Sequence, residues 1–257
     1  MINKIKNLII SNNLDGYIIP KNDEFFSEYS KTNKLHIVAN FTGSAGFILI
    51  LKKNNHLFVD GRYTIQAKKQ SGRRFNIHEI PYVWPKDILR NGKRQYIGFD
   101  PKLFTKDTLK LYFDNICNLL PINQDLFKNK VEIINKENLV YSIKNSIVGE
   151  SSYSKIKRLN KIIKREKIDN LFVSSNENVC WLLNIRGKDL PNSPVVNFQA
   201  IFSIKNEIFL FGNIKKLKNI KKKLLNKNLF FFEKNKFFQI LSSLKGRFFC
   251  IDNKTCS

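Results

Sequence analysis

Residues 40–63 read NFTGSAGFILILKKNNHLFVDGRY, and this stretch carries the strongest local signals in the chain. Gly43, Ser44, Ala45 and Gly46 form a tight turn that feeds an apolar strand, Phe47 to Leu51. Lys52 to Asn55 make a polar turn, and His56 to Val59 a second strand. Two β-rich runs divided by Lys and Asn predict a hairpin, because such turns tolerate the positive φ that hairpin connections need. Asp60-Gly61-Arg62-Tyr63 then leads from the second strand into a helix.

Upstream, residues 2–12 predict a short amphipathic helix with Ile2, Ile5, Leu8 and Ile9 on one face, then a strand from Tyr17 to Pro20. Asn22 to Tyr29 opens on a good capping residue and reads as a short helix. Downstream, Tyr63 to Gln70 is helical and Phe75 to Ile80 is a strand. Trp84 to Arg90 is a helix with Pro85 early, Tyr96 to Phe99 a strand, and Thr105 to Leu119 a longer helix.

The second half repeats this order. Residues 153–167 are an amphipathic helix, and IDNLFV (Ile168 to Val173) matches LDGYII (Leu14 to Ile19). Asn176 to Asn184 parallels the helix at Asn22, and Phe198 to Ile204 with Ile208 to Phe211 repeats the hairpin. The lysine-rich run IKKLKNIKKKLL (Ile214 to Leu225) follows as a helix, then Phe230 to Phe232, a helix Phe237 to Leu244, and a strand Phe248 to Asp252. Asp252 lies 152 residues after Asp100, so the spacing of the copies hardly drifts. Two tandem related domains follow, each a mixed α/β sheet covered by helices. Their expected bounds are 1–138 and 153–257, with a linker at 139–152 around Gly149, Glu150, Ser151 and Ser152. The second copy ends just after its Asp252 strand, where the first continues into another helix. Ser257 therefore reads as an interruption.

With 42% hydrophobic and 12% aromatic residues over 257 positions, the chain is globular and long enough for two cores. No run reaches the roughly 18–20 apolar residues of a membrane span, and the amino-terminal segment is too short and interrupted for a signal peptide; a cytoplasmic location is expected. Cys117, Cys180, Cys250 and Cys256 form no CxxC pair, and Cys117 and Cys180 sit in apolar runs as core residues. His36, His56 and His78 belong to no ligand-spaced cluster. The net charge of +24, from 45 basic and 21 acidic residues, raises a polyanion partner. The lysines are spread along the chain, and in Ile214 to Leu225 they lie opposite an apolar stripe as a solvated face. That distribution speaks against a nucleic-acid partner.

The candidate site centres on Arg62. Asp60 is placed to cap the helix, accepting a backbone N–H of its first turn, and Gly61 permits the backbone the turn demands. Arg62 then occupies a first-turn position that the helix dipole disfavours for a cation by about 0.3 kcal/mol. Its planar fork suits a carboxylate or peptide carbonyl. Two roles stay open: contact with a ligand, or an ion pair with an aspartate that holds strand and helix together. Ser44 lacks the GxSxG spacing of a nucleophile elbow and has no assignable histidine partner.

FTGSAG (Phe41 to Gly46), VDGRY (Val59 to Tyr63), IGFDP (Ile97 to Pro101) and NVCWLLNIRGKDLPNSPV (Asn178 to Val195) stand in the chain in that order. Together they make it resemble the N-terminal two-domain region of the Xaa-Pro aminopeptidases (aminopeptidase P) in the creatinase/aminopeptidase metallopeptidase family. The resemblance implies a third, catalytic "pita-bread" domain that this sequence does not contain. That domain holds two metal ions, usually manganese, on two aspartates, one histidine and two glutamates. No cofactor is expected on this chain itself, and no histidine follows His78. The implied parent reaction is release of an N-terminal residue preceding proline. The implied partners are a peptide with proline at its second position and a catalytic domain of the same or a separate chain, with a homodimer in the full protein. Arg62, supported by Asp60, Gly61 and Tyr63, is implied to reach the bound peptide. Asn184, Arg186 and Asp189 either line the wall facing the catalytic domain or tie down the proline-rich loop through backbone hydrogen bonds. A stand-alone peptide- or partner-binding module is the alternative.

Overall fold

The computed structural model describes residues 1–27, 30–90, 93–127, 139–217, 220 and 228–257. The chain divides into two compact units, residues 1–132 and 133–256, each with its own sheet.

In the first unit, α1 (Ile2–Ser11) buries Ile5, Leu8 and Ile9, and leads into β1 (Gly16–Pro20), which is buried along its whole length. The hairpin is β2 (Phe47–Leu51) and β3 (Asn55–Asp60), followed by β4 (Asn76–Ile80), β5 (Tyr96–Phe99) and β6 (Asn118–Pro121). The sheet order is β4-β3-β2-β1-β5-β6. β2 runs antiparallel to β1 and β3, and the outer pairs are parallel. Strand alternation divides the core in two. Ile19, Ile48, Ile50, Leu57 and Val59 face one way with residues of α1. Ile18, Phe47, Leu49, Phe58 and Ile97 face the other. Cover on both faces is why β1 and β2 read as continuous apolar runs.

The remaining helices of this unit are α2 (Lys34–Ala39), α3 (Thr64–Ser71), α4 (Pro85–Leu89) and α5 (Lys106–Phe113). Two expectations change here. Asn22 to Ser27 is not helical: the Asp23 carboxylate accepts the backbone N–H groups of Phe25 and Ser27, each at 3.0 Å, and folds the segment into a turn. Glu28 and Tyr29 lie outside the described residues. The helix of this region is α2, whose start was legible in Asn33, which accepts the His36 N–H at 3.1 Å. Finally, α5 is capped by Thr105 as expected but stops at Phe113. Asp114 and Asn115 adopt left-handed φ of 46° and 61°, ending the helix and freeing Asn118–Pro121 to become a strand.

The second unit begins with a two-stranded ribbon, β7 (Tyr141–Ser142) against β9 (Ile185–Arg186), and a short helix, α6 (Asn145–Val148). The segment 139–152, expected as a linker, is therefore part of this unit, with Val140 buried in its core. Next come α7 (Ser152–Arg165), β8 (Asn170–Val173), α8 (Asn176–Leu183), β10 (Gln199–Ser203), β11 (Ile208–Phe211), β12 (Leu229–Phe232), a helix at Phe237–Ser243 and β13 (Phe249–Cys250). The order β12-β11-β10-β8-β13 repeats β4-β3-β2-β1-β5 with the same strand directions. Register fixes the equivalences: Gly16 opposes Leu51 as Asn170 opposes Ser203. The counterpart of α8 is α2, not the turn at Asn22, since each helix closes on a left-handed asparagine, Asn40 or Asn184. Of the expected lysine-rich helix, Ile214–Leu217 is a 3-10 turn with Leu217 buried, and Ile220 is buried. Residues 218, 219 and 221–227 lie outside the described residues.

Candidate functional site

Two motifs of the opening stretch meet in space. Gly46 turns the chain at φ 142°, with its α-carbon so close to the Phe58 carbonyl that a Cβ would sit 2.6 Å from the oxygen. This glycine lets the FTGSAG loop lie against the end of β3. Ser44 Oγ then shares a hydrogen bond of 2.8 Å with the Tyr63 hydroxyl, and Phe41 packs edge-on to the Tyr63 ring. The same loop is tied to α3. Gln70 Oε1 accepts the Thr42 N–H at 3.1 Å, and Ser71 Oγ donates to the Ala39 carbonyl at 2.7 Å. Ser44 thus has a structural partner that its motif did not disclose.

Between these anchors, Gly61–Tyr63 form a 3-10 turn leading from β3 into α3. Asp60 Oδ1 accepts the Arg62 backbone N–H at 3.0 Å, the cap foreseen from sequence. The same carboxylate takes the Arg62 side chain in two-point fashion: Nε donates to Oδ1 at 3.1 Å and Nη2 to Oδ2 at 2.7 Å. These side-chain bonds hold the Asp60 carboxyl below the usual carboxylate range. The guanidinium lies 5.2 Å from the Tyr63 ring centroid. Gly61 leaves room for Glu79, whose Oε1 would lie 3.0 Å from a Cβ at that position. The Arg62 side chain is 72% exposed, so its direction is fixed while its charge faces water.

The second unit supplies an internal control. Phe58 opposes Phe47 as Phe211 opposes Gln199, which puts Asn213 where Asp60 stands and Lys215 where Arg62 stands. Asn213 Oδ1 accepts the Lys215 N–H at 3.1 Å, so the cap is kept as scaffold. The carboxylate–guanidinium pair has no equivalent there, because Asn carries no charge and Lys no fork.

Asn184, Arg186 and Asp189 make hydrogen bonds within their own unit. Asn184 is buried: its Oδ1 accepts from Lys155 Nζ at 2.7 Å, and its Nδ2 donates to the Glu150 carbonyl at 2.9 Å. Lys155 Nζ also donates to the Trp181 carbonyl at 2.8 Å and lies 4.1 Å from the Trp181 ring centroid. Arg186 Nη1 donates to the carbonyls of Cys180 and Ile185 at 3.1 and 2.8 Å. Buried Asp189 accepts the Asn197 N–H at 2.9 Å and pairs with Lys216. All three residues meet backbone or buried side chains of the second unit.

One cluster was not foreseen. His56 Nδ1 and His78 Nε2, on adjacent strands, lie 3.0 Å apart with the rings stacked. His56 is buried and its Nε2 has no hydrogen-bond partner. Burial first, then the neighbouring His78, pushes the His56 pKa down to about 4, and burial lowers that of His78. Among the described residues, no three His, Cys, Asp or Glu side chains gather to hold a metal ion. A two-metal centre therefore finds no fitting ligand set on them, and this pair alone does not make one. No described helix is long and apolar enough to cross a membrane.

Models of the creatinase/prolidase N-terminal domain match residues 1–126 and, separately, 128–257. Xaa-Pro aminopeptidase 1 of Dictyostelium discoideum is 29% identical over 238 residues, covering 84% of this chain and 38% of that protein. Aminopeptidase P1 of Lotus japonicus is 31% identical over 228 residues, covering 84% of this chain and 34% of that protein. The chain thus spans little more than a third of these relatives. The crystal structure of an X-prolyl aminopeptidase from Caenorhabditis elegans, described as a cytosolic enzyme with a di-nuclear active site, matches with a TM-score of 0.83 at 23% identity. That match covers 94% of this chain and 43% of the other, and it shows a shared fold. Both halves of this chain belong to the creatinase/prolidase N-terminal domain family.

Proposed function

We propose that this two-unit region is the non-catalytic N-terminal part of a Xaa-Pro aminopeptidase. The parent enzyme uses two metal ions, usually manganese, on a separate catalytic domain to release the residue preceding a proline. The region shapes the substrate entrance and contacts the catalytic domain, of the same or a separate chain, in a cytoplasmic homodimer. Arg62 reaches the peptide. The observation that carries this reading is the Arg62–Asp60 pair, an exposed guanidinium with a preset direction that the second unit lacks. Pre-orientation lowers the entropy lost when a long side chain engages a carbonyl or carboxylate. The relatives at 29% and 31% identity, both named as aminopeptidases of this kind, support the parent reaction.

The test has two arms on the purified chain. Incubated with Ala-Pro-Pro and manganese, it is expected to release no alanine; metal-dependent turnover removes the non-catalytic reading. Titrated with Ala-Pro-Pro by calorimetry, it is expected to bind weakly and to lose that binding in Arg62→Ala. An unchanged isotherm in the variant assigns Arg62 to scaffold alone. Steeply salt-dependent RNA or DNA binding that persists at about 150 mM salt replaces the proposal with a polyanion-binding one.

A further inference from the structure

The two units differ most on one face of their sheets. In the first, Ile18, Leu89 and Ile97 are buried in one cluster with Phe113 of α5 and with Cys117. There α4 packs beside α5, Lys86 reaches Asp114 at the end of α5 (4.0 Å), and β6 pairs in parallel with β5. Register assigns the counterparts. Ile97 opposes Gly16 and Phe249 opposes Asn170, so Phe249 stands for Ile97, and the helix Phe237–Ser243 stands for α4. Even the turn beyond is repeated: Asp100 accepts the Lys102 N–H, and Asp252 the Lys254 N–H, each at 3.0 Å. At the same spacing Phe238 stands for Lys86, facing the place of the α5 terminus.

The cover is what differs. Ile97 is 0% exposed but Phe249 is 43%, and Phe238 is 76%. Ile251 is exposed as well, and the helix Phe237–Ser243 has no fully buried residue. Among the described residues β13 pairs with β8 alone, so the backbone edge that β5 offers to β6 stands open. Exposed apolar side chains beside an open strand edge mark an interaction surface, and the edge is a template for one more strand.

We propose that this face of the second unit docks a helix–strand segment built like Lys106–Pro121. Its amphipathic helix, with a leucine–aromatic stripe like Leu109, Tyr112 and Phe113, covers Phe238 and Phe249. Its strand joins β13 in parallel. The first unit specifies this occupant, because the same scaffold is closed there by a segment of that form.

Hydrogen exchange of the whole chain tests the proposal, with a synthetic peptide of residues 104–122 as probe. A control peptide replaces Leu109, Tyr112 and Phe113 by Ser. At saturation the probe should slow exchange at residues 237–243 and 249–251 by about tenfold or more, and the control should not. Phe249→Lys should abolish the protection. Its side chain is already half-exposed, and an unchanged Trp181 emission shows that the unit stays folded. The proposal is overturned if neither peptide protects, if both protect equally, or if Phe249→Lys keeps the effect. Protection that rises with chain concentration without peptide also overturns it, because a second copy then fills the face.

Discussion

The histidine pair, buried at His56 and half-buried at His78, makes the first unit acid-sensitive in a way the second is not. His56 is held near pKa 4 against an ordinary value of 6.5 by burial first and then by His78, and its Nε2 has no partner. A second proton leaves a buried N–H donor without an acceptor, beside another imidazole. Because the folded pKa is depressed, the unfolded chain binds more protons between pH 6.5 and 4. Stability is therefore complete above about pH 6.5 and is lost as pH falls toward 4. Integrating that difference for His56 gives a loss of about 2 kcal/mol between about pH 7.5 and pH 5, and His78 adds in the same direction. The second unit names the matching substitution. Register places Phe209 at the position of His56 and Phe232 at that of His78, and those rings stack too. In a Trp181→Phe background, Trp84 emission reports urea unfolding of the first unit. The parent should lose about 1 M of its urea midpoint over that pH range, at an m-value of about 2 kcal/mol per molar, relative to His56→Phe/His78→Phe. Taking the difference cancels the carboxylates, including raised Asp23 and Asp100, whose contributions run the opposite way. Equal pH slopes in the parent and the double variant would refute the reasoning.

Other perturbations have separate readouts. Gly46→Ala forces a side chain into φ 142° and against the Phe58 carbonyl, and should cost about 2 kcal/mol or more in urea unfolding of the first unit. Asp60→Asn keeps the cap and removes the ion pair; stability should move by less than about 1 kcal/mol while Ala-Pro-Pro binding weakens in calorimetry. Lys155→Met leaves Asn184 Oδ1 without its donor, takes one of two donors from the Trp181 carbonyl, and should destabilise the second unit by about 2 kcal/mol, followed by Trp181 emission. In thiol titration at neutral pH the buried Cys117 and Cys180, both pushed up to about 11, should react only after unfolding, and half-buried Cys250 before it.

The duplication was legible because strand periodicity and turn residues survive divergence: the hairpin, the flanking strands and the Asp100/Asp252 spacing all reappear in the sheet order. What escaped was governed by left-handed asparagines and local carboxylate turns. Asp23 overrides a helical-looking run, Asn33 and Asn40 bracket a six-residue helix, and Asp114-Asn115 cuts a long one short to release a strand. Each is a choice between two backbone paths separated by a hydrogen bond or two, about 1 kcal/mol apiece, which periodicity does not weigh. The site divides the same way. The Asp60 cap and the exposure of Arg62 follow from sequence order and helix-start chemistry. The Ser44–Tyr63 bond and the His56–His78 pair join residues 19 and 22 positions apart; the Gly46 turn brings the first together and the β3–β4 register the second. Register also gives the sharper functional discrimination, since a feature present in both copies is needed by the scaffold. The cap at Asp60 and Asn213 is such a feature, and so is an aromatic slab at positions 56 and 209. The guanidinium pair and the imidazole pair occur in the first copy alone, and the fold closes without either in the second. What the scaffold does not require, yet one copy carries in ordered form, is where function is to be sought.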